Sequence, residues 1–376
     1  MKILILTGTF YPELHPRAFR ANELAINFAE KGHDVTVYNL RTIKKFDYQQ
    51  YSDTYKIKIK NLDLYGQVGI TREINNSHIR VLQKVIKLYR FVLDYFLSGR
   101  LFIYSKKIVN QLPLNDNWDL IISLSTPFMN HFALAIARRK IKSLNTVFIA
   151  DSGDPFYRSK QTKRAPYFYF IEKFTYKQFD YLTIPSENAK NAYKGLISPQ
   201  KIKIIPQGYK LNNIQLANYS ESDTINFAYA GVFYHDIRNP KFLFDFLLTL
   251  KMNFHFYVYL RYEDPLISSL LKPYSIVLDG KITVIYGTER NKLLYELSKM
   301  DFLINIENTT STQIPSKIID YAITKRPIFS CNSKNFDKEK FIRFIHRDYN
   351  GELKIDLNFY DINNVTDKFL KLAKKI

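Results

Sequence analysis

Short apolar runs alternate with amphipathic stretches along the first half of this 376-residue chain. The mainly apolar runs at residues 3–6, 35–40 and 120–124 are typical of parallel strands that are buried on both faces. Between the first two runs, residues 21–28 place apolar side chains at helical spacing. Alternating strands and helices predict an α/β fold that is built on a parallel sheet.

A second series of strands and helices follows Pro206-Gln207-Gly208. Residues 209–223 are polar and irregular, as a linker would be, and strand-like runs resume at 225–230 and 254–260. We therefore expect two Rossmann-like domains that face a central cleft, because ligands bind beyond the carboxyl ends of parallel strands. The predicted boundaries are 1–207 for the N-terminal domain and 208–361 for the C-terminal domain, with a final helix at about 362–376 that returns to the N-terminal domain.

The formal net charge of +20 at pH 7 favours anionic partners, such as nucleic acid, anionic lipid or phosphorylated substrates. A lysine-rich composition that is shared by a whole proteome would give the same charge. The single cysteine, Cys331, excludes an internal disulfide and fits a reducing compartment. The N-terminal apolar run is too short for a signal peptide, and no stretch reaches the ~18–20 uncharged apolar residues of a spanning helix. We therefore expect a cytoplasmic protein.

The first candidate ligand site is the segment around Lys317. Pro315 favours the first turn of a helix, where Ser316 and Lys317 follow it. Free N–H groups and the helix dipole make such a turn an anion site, and a bound diphosphate would offset the unfavourable position of a lysine there. Asp320, one turn further on, is placed to accept hydrogen bonds from ribose hydroxyls. The alternative is an ordinary capped helix with a solvated lysine.

A second candidate phosphate site follows the predicted strand at 225–230. Gly231 ends this strand, and Arg238 and Lys241 follow it in a basic loop that suits phosphate binding. Tyr286, at the end of a later strand, would border the base or lie in the core before a turn. The chain has neither Gly-x-Gly-x-x-Gly nor the P-loop motif, so ordinary dinucleotide binding and P-loop chemistry are disfavoured.

Candidate residues in the first half also follow predicted strands. His131 begins a helix after Ser125-Thr126-Pro127, and Asp154 occupies the equivalent place after the next strand. Arg17 and Arg20 lie one helical turn apart and are spaced to clamp a phosphate or an acidic sugar. The alternatives are a structural histidine and two solvated arginines at the entrance of a helix.

Residues 81–107 interleave lysines and arginines with apolar residues. This pattern suits a helix that lies on an anionic membrane surface, or else a core helix with a basic outer face. Some motifs are absent from the whole sequence. These are Asp-x-Asp, Cys and His at zinc-ligand spacing, and the Gly-x-Ser-x-Gly nucleophile elbow.

Taken together, the segments resemble the family-four retaining glycosyltransferases. In the first half, the matching segments are Phe10-Tyr11-Pro12, Arg17-Ala18-Phe19-Arg20, Ser125-Thr126-Pro127-Phe128 with His131, and Asp154-Pro155. Later matches are Ile205-Pro206-Gln207-Gly208 and Gln313 with Pro315-Ser316-Lys317 and Asp320-Tyr321. The resemblance spans most of residues 1–330, and it implies a GT-B fold, retention of anomeric configuration and a reaction without a metal.

The resemblance also implies roles for individual residues. The donor would be bound in the C-terminal domain by Gly231, Arg238, Lys241, Tyr286, Pro315, Ser316, Lys317 and Asp320. His131 would contact the donor sugar, and the acceptor would be faced by Arg17, Arg20 and Asp154. Arg238 and Lys317 would act on the leaving diphosphate. Two departures affect sugar contacts: Thr312 replaces the first glutamate of the family motif, and His15-Pro16 replaces two glycines.

We therefore predict a hexosyltransferase that moves a sugar from a nucleotide diphosphate, expected to be a UDP-sugar, to a lipid-linked or surface-glycan acceptor. Capsule and lipopolysaccharide synthesis are reactions of this type. Fixed cations would stabilise the departing diphosphate, so no metal cofactor is expected. We expect the protein to meet an anionic membrane on the inner face of the plasma membrane. The alternatives are a nucleotide-sugar epimerase of the same fold and a basic nucleic-acid-binding protein, although no nucleic-acid recognition motif is visible.

Overall fold

The computed structural model describes the chain except for residues 14, 65–90, 99–100, 114–115, 140–144, 160–161, 213, 235–237, 308–315 and 375–376. The chain divides into two compact units. The N-terminal unit comprises Met1–Lys210 with Phe359–Ile376, and the C-terminal unit comprises Leu211–Asn358. Each unit contains one parallel sheet with helices, which confirms the predicted α/β class.

The N-terminal unit is built on a seven-stranded sheet. Its strands are β1 Lys2–Thr7, β2 Asp34–Asn39, β3 Lys58–Asn61, β4 Leu120–Leu124, β5 Val147–Asp151, β6 Tyr181–Ile184 and β7 Ile202–Ile204. They lie in the order β3-β2-β1-β4-β5-β6-β7, and all pairs are parallel. Ile3 pairs with Val35 on one side and Leu120 on the other, so the apolar runs form adjacent buried strands.

Five helices of the N-terminal unit precede or follow these strands. They are α1 Pro16–Glu30, α2 Tyr48–Tyr55, α3 Leu101–Gln111, α4 Met129–Arg138 and α5 Phe168–Lys177. Residues 91–97 are also helical. Pro16 starts α1, and Nδ1 of His15 accepts a hydrogen bond from the N–H of Arg17, which caps the helix. The apolar face of α1 carries Leu24 and Phe28 into the core.

The C-terminal unit has a five-stranded sheet with strands β8 Ile225–Gly231, β9 Phe254–Leu260, β10 Ile282–Tyr286, β11 Phe302–Ile306 and β12 Ile328–Cys331. Its order is β10-β9-β8-β11-β12, again all parallel. Its helices are α6 Lys241–Leu247, α7 Pro265–Val277, α8 Arg290–Leu297, α9 Ser316–Ile323 and α10 Lys338–Ile345. The short helix α11 Leu357–Tyr360 spans the boundary between the two units. Phe227 stacks on Phe256 and Phe302 at 4.9 Å between ring centroids and anchors the core of this unit.

The last helix, α12 Ile362–Ala373, packs against α1 of the N-terminal unit. The Thr366 hydroxyl donates a hydrogen bond of 2.6 Å to Oδ1 of Asn27. The Phe369 ring meets Phe28 edge to face at 6.4 Å between centroids. Both phenylalanines are fully buried, so the end of the chain completes the hydrophobic core that the first strands begin.

Some elements differ from the predictions. The segment after β6 forms a 3-10 turn at Glu187–Tyr193, whose preceding Ser186 side chain makes no capping hydrogen bond. Helix α7 was not predicted, since it leaves apolar residues such as Leu266 exposed instead of presenting a polar face. No described helix is both long and apolar enough to cross a bilayer. Of the segment predicted to lie on a membrane, residues 81–90 and 99–100 lie outside the described residues.

Candidate functional site

Lys317 lies where the carboxyl ends of two strands of the C-terminal sheet meet the start of α9. Its ammonium donates a hydrogen bond of 3.1 Å to the carbonyl of Ile306, the last residue of β11. The same ammonium lies 4.5 Å from the centroid of the Tyr229 ring in β8. Lys317 therefore reaches back from the first turn of α9 to the edge of the sheet where parallel folds bind ligands.

The surroundings of Lys317 disfavour its own charge. Burial, followed by the nearby charge of Arg238, lowers the pKa of Lys317 well below its ordinary value. Among the described residues, no carboxylate lies within salt-bridge distance of its ammonium. The carboxylate of Glu307, which favours the charged form, accepts hydrogen bonds from Ser330 and Asn332 instead. A bound anion would supply the negative charge that balances the ammonium of this lysine.

Gly231 and Arg238 both lie beside Lys317. Gly231 has φ +148°, and a Cβ atom there would lie 3.2 Å from Oη of Tyr229 and 3.6 Å from Cδ of Lys317. The site therefore requires glycine both for backbone conformation and for space. The guanidinium of Arg238 donates a hydrogen bond of 3.1 Å to the carbonyl of Val232 and lies 5.7 Å from the Tyr234 ring centroid. The predicted cationic loop thus lies beside Lys317.

Asp320 forms an ion pair that was not predicted. Its Oδ1 accepts hydrogen bonds from Nε and Nη2 of Arg290 at 3.0 and 2.6 Å. Arg290 begins α8, four residues after Tyr286, whose ring is 41% exposed at the end of β10. Arg290 is therefore a further candidate, and its short distance in sequence from Tyr286-Gly287 is the signal that could have identified it.

The structure changes the role of Lys241. This residue is the first of α6, and its ammonium forms an ion pair of 2.7 Å with Asp245 one turn later on the exposed face. The hydrogen bond that Lys241 donates to Asp245 raises the pKa of Lys241. That Lys241 helps to hold the diphosphate stays a prediction, and in this structure its ammonium is paired within its own helix. Ser316 begins α9, whereas Pro315 lies outside the described residues.

Asp151, at the end of β5, is the centre of a buried charge cluster in the N-terminal unit. Arg20 binds both of its oxygens with one edge of the guanidinium, with Nε and Nη2 each 2.6 Å from a carboxylate oxygen. Arg17 donates a hydrogen bond to the same carboxylate at 3.1 Å, and the Thr183 hydroxyl donates one at 2.7 Å. Burial favours neutral Asp151, but the charges of Arg20 and then Arg17 outweigh burial and lower its pKa.

The structure gives Arg20 contacts within the N-terminal unit, whereas the sequence predicts that it faces an acceptor. Only 3% of the residue is exposed, and its remaining donors are used by the carbonyls of Ile205 and Pro206. Arg20 instead ties α1 to the ends of β5 and β7 in the sheet. Asp151 was not predicted, because nothing in the local sequence indicates that an arginine 131 positions earlier would bind it.

Arg17 and Asp154 remain candidates at this edge of the N-terminal sheet. Arg17 uses Nη1 on Asp151, whereas Nη2 is buried against Gly153 without a hydrogen-bond partner among the described residues. Asp154 is exposed in the same segment. The segment is held by Glu172, a fully buried residue that was not predicted, whose carboxylate accepts the backbone N–H groups of Phe156 and Tyr157 at 2.8 and 2.9 Å.

His131 lies in the core of the N-terminal unit, fully buried. Its Nδ1 lies 2.7 Å from the Ser123 hydroxyl, and its ring meets the rings of Phe128, Tyr176 and Phe179 at about 6 Å. Burial lowers the pKa of His131 to about 3, so the imidazole is neutral at physiological pH. Helix α4 turns this side chain towards Ser123 of the sheet, and Nε2 is buried without a hydrogen-bond partner among the described residues. The contact of His131 with a donor sugar stays a prediction.

Two parallel sheets with flanking helices, one in each half of the chain, define the GT-B architecture. The model of Glycosyltransferase Family 4 matches residues 19–213, and this chain belongs to that family. The predicted family and enzyme class are thereby confirmed: the protein is a glycosyltransferase. No curated protein sequence matches the chain.

Solved structures share the whole fold at low sequence identity. The lipopolysaccharide outer core galactosyltransferase WaaB, in its apo form, is 12% identical, with 99% of each chain covered and a TM-score of 0.59. HepE from Anabaena, in complex with UDP, is 9% identical over all of both chains, with a TM-score of 0.60. The UDP-GlcNAc 2-epimerase from Neisseria meningitidis, bound to UDP-GlcNAc, is 14% identical over all of both chains, with a TM-score of 0.56.

Proposed function

We propose that this glycosyltransferase moves a hexose from a UDP-sugar to a lipid-linked or surface-glycan acceptor, with retention of anomeric configuration and without a metal ion. The observation that carries the donor assignment is Lys317, a cation at the carboxyl edge of the C-terminal sheet with no carboxylate to balance it among the described residues. HepE, which shares the fold, was solved with UDP, and WaaB is described as a galactosyltransferase of lipopolysaccharide. Both descriptions support the proposed donor and acceptor classes.

The diphosphate of the donor is proposed to bind at the start of α9. Lys317 and Arg238 would face its oxygens, and the first N–H groups of α9, from Ser316 onward, would donate hydrogen bonds to them. When the glycosidic bond to the diphosphate breaks, negative charge grows on these oxygens. Cations that are already fixed in place stabilise this charge without reorganisation, which is the task that a metal ion performs in other enzymes. The proposal therefore requires no metal.

The nucleoside is proposed to lie beside β10 and α9. Asp320 is oriented by Arg290 and has a second carboxylate oxygen with which to accept a ribose hydroxyl. The exposed ring of Tyr286, at the end of β10, offers a surface for the base. Arg290 would then be a positioning residue, because it acts on the nucleoside through Asp320.

Retention is proposed to follow from attack on the face that the leaving group departs from. The oxygen of the acceptor hydroxyl bonds to the anomeric carbon while the bond from that carbon to the diphosphate breaks. The hydroxyl proton passes to an oxygen of the leaving phosphate. On the acceptor side, Arg17 offers the buried Nη2 that has no described partner, and Asp154 offers an exposed carboxylate.

The donor assignment is tested by calorimetric titration of UDP in the presence of a metal chelator. We expect the wild-type protein to bind UDP, and Lys317→Ala and Arg238→Ala to lose most of the affinity. Lys272→Ala is the matched control, because Lys272 is an exposed lysine of α7 in the same unit. Absence of UDP binding, or equal binding by all four proteins, would contradict the site.

A nucleotide-sugar epimerase is the second candidate, because the epimerase from Neisseria meningitidis shares the fold. Such an enzyme converts its substrate without an acceptor. The two functions are separated by incubating the protein with UDP-GlcNAc and other UDP-sugars alone and then with lipid-linked glycan. Transfer that depends on the added glycan supports the glycosyltransferase, whereas an epimerised sugar formed without acceptor supports the alternative.

Peripheral association with an anionic membrane belongs to the same proposal. It is supported by the net charge of +20 and by apolar side chains that are exposed on the N-terminal unit. Among these are Phe91 and Phe96 in the helical residues 91–97, and Phe102 and Ile103 in α3. A lipid-linked acceptor would be met at such a surface.

A further inference from the structure

A cleft of about 400 Å³ opens in the N-terminal unit between α5 and the segment that leads into β7. It is lined by Lys173 and Lys177 of α5, by residues 195–198 and by Lys201. Residues 195–201 come directly before β7, and α5 comes before β6, so the cleft lies at the amino ends of these strands. Asp151 and Thr183 mark the opposite edge of the sheet, where the proposed acceptor residues lie.

The cleft is held open by contacts between its two walls. The Tyr169 hydroxyl on α5 donates a hydrogen bond of 3.2 Å to the carbonyl of Gly195, where the chain reverses with φ +82°. The ammonium of Lys201 donates one of 3.1 Å to the carbonyl of Phe179, just beyond the end of α5. The first bond ties α5 to the segment that leads into β7, and the second fixes the Lys201 ammonium beside the end of α5.

The lining combines an apolar floor with a cationic rim. Leu196 and Ile197 form the floor and are buried. Three lysines line the cleft, and none of the described aspartates or glutamates does. Lys177 is exposed and forms no ion pair with a described residue. The chemistry that fits this lining is an anion joined to an apolar group.

The outward face of α5 continues this pattern beyond the cleft. Tyr167, Phe170, Lys173 and Lys177 follow one another at intervals of three or four residues, so they share one face of the helix. Tyr167 is 41% exposed and Phe170 is 68% exposed, whereas Phe168, Glu172 and Tyr176 on the other face are fully buried. An exposed face with aromatic residues at one end and lysines at the other is typical of a surface that meets a membrane interface.

We propose that the cleft and the outward face of α5 bind an anionic membrane lipid, with the lysines on its phosphate headgroup and with Tyr167 and Phe170 in the interface. The inference deepens the proposed function, on which its biological meaning rests, because it names a surface that would hold the enzyme on the bilayer that carries a lipid-linked acceptor. The occupant is a lipid of the bilayer because the aromatic residues lie outside the cleft, where a free phosphate would leave them unused. Charge complementarity selects an anionic lipid.

The test is flotation of the full-length protein with vesicles of phosphatidylglycerol in phosphatidylcholine, compared with phosphatidylcholine alone. We expect binding to the anionic vesicles only. The double variant Lys173→Gln/Lys177→Gln should lose roughly 30-fold in affinity, since each lysine near an anionic surface contributes about fivefold. Phe170→Ser should also weaken binding, whereas Lys173→Arg/Lys177→Arg should retain it.

Matched controls come from the C-terminal unit. Lys272→Gln/Lys292→Gln removes two exposed lysines, and Leu266→Ser removes an apolar side chain that is 72% exposed. Both should bind vesicles as the wild type does. Equal losses in the control and α5 variants would indicate diffuse attraction by net charge and would overturn the proposal. Binding of inorganic phosphate or self-association at this face without vesicle binding would overturn it as well.

UDP titration of the same variants separates this inference from the proposed function. The α5 variants should bind UDP as the wild type does, which also verifies that they are folded. Intact UDP binding by a wild-type protein that does not bind anionic vesicles selectively refutes the lipid site alone. Selective vesicle binding without UDP binding refutes the donor site alone.

Discussion

Arg20 and Asp151 form a buried ion pair in which both carboxylate oxygens accept hydrogen bonds of 2.6 Å from one guanidinium. The pair joins the first helix of the chain to the end of β5, 131 positions later. Because both side chains are almost completely buried, neither could remain charged without the other. The edge of the N-terminal sheet that carries Arg17 is therefore organised around a structural pair.

Replacing Arg20 with alanine should strongly destabilise the N-terminal unit. The substitution leaves the carboxylate of Asp151 buried with only Arg17 and Thr183, and breaking such a pair costs about 3–5 kcal/mol. Urea unfolding at neutral pH measures the change. The control is Lys58→Ala, which breaks the exposed pair with Asp34 and should change stability by less than about 1 kcal/mol. Similar changes in the free energy of unfolding for the two substitutions would show that the buried pair contributes no more to stability than an exposed pair.

His131 should make stability depend on pH between its two pKa values. Burial holds the pKa of the folded state at about 3, whereas the unfolded chain has the ordinary value of 6.5. Below the higher value the unfolded chain takes up a proton that the folded protein refuses, so stability falls as the pH falls from 6.5 towards 3.

The variant His131→Gln keeps a hydrogen-bonding group near Ser123 but does not titrate. The slope of its free energy of unfolding against pH should therefore be smaller, by the amount that corresponds to one proton. Urea unfolding across this range gives the slope. His346→Gln, at an exposed position, is the control and should leave the slope unchanged. Parallel slopes for the wild type and His131→Gln would contradict the buried, neutral state of this histidine.

Binding of UDP should be accompanied by proton uptake at Lys317. The pKa of this lysine is lowered by burial and then by Arg238, which shifts the equilibrium in the free protein towards the neutral amine. A diphosphate favours the charged form and raises the pKa, so protons are taken from the buffer. Calorimetry in buffers of different ionisation enthalpy, from about pH 6 to about pH 9, counts these protons. Uptake that persists in Lys317→Met would place the proton on another group.

Gly231→Ala should weaken UDP binding and reduce stability. A methyl group at this position would lie 3.2 Å from the Tyr229 hydroxyl and 3.6 Å from the Lys317 side chain, in addition to a backbone strain of about 1–3 kcal/mol. Gly280→Ala is the control, because Gly280 also has a positive φ but has nothing within 4 Å. Both variants should lose stability, but only Gly231→Ala should lose affinity for UDP, as thermal unfolding and calorimetry would measure.

The sequence determined the features that lie within single elements. The apolar runs that form β1, β2 and β4 were recognisable because a strand that is buried on both faces carries apolar side chains along most of its length. Lys317 was identifiable because a lysine in the first turn of a helix interacts unfavourably with the helix dipole unless a bound anion compensates its charge. These local patterns, with their order along the chain, were also enough to indicate the family.

Only the tertiary structure decided which distant residues meet. His131 and Arg20 both follow local patterns that are typical of ligand contacts. In the structure, however, the rotation of α4 turns His131 into the core, and the order of the strands brings Asp151 to Arg20. Arg290 reaches Asp320 because α8 packs against α9, although the strands that precede these helices, β10 and β11, are separated in the sheet by β9 and β8. A sequence pattern specifies which face of an element is apolar, but the charge that a side chain meets depends on the packing of elements far apart in sequence.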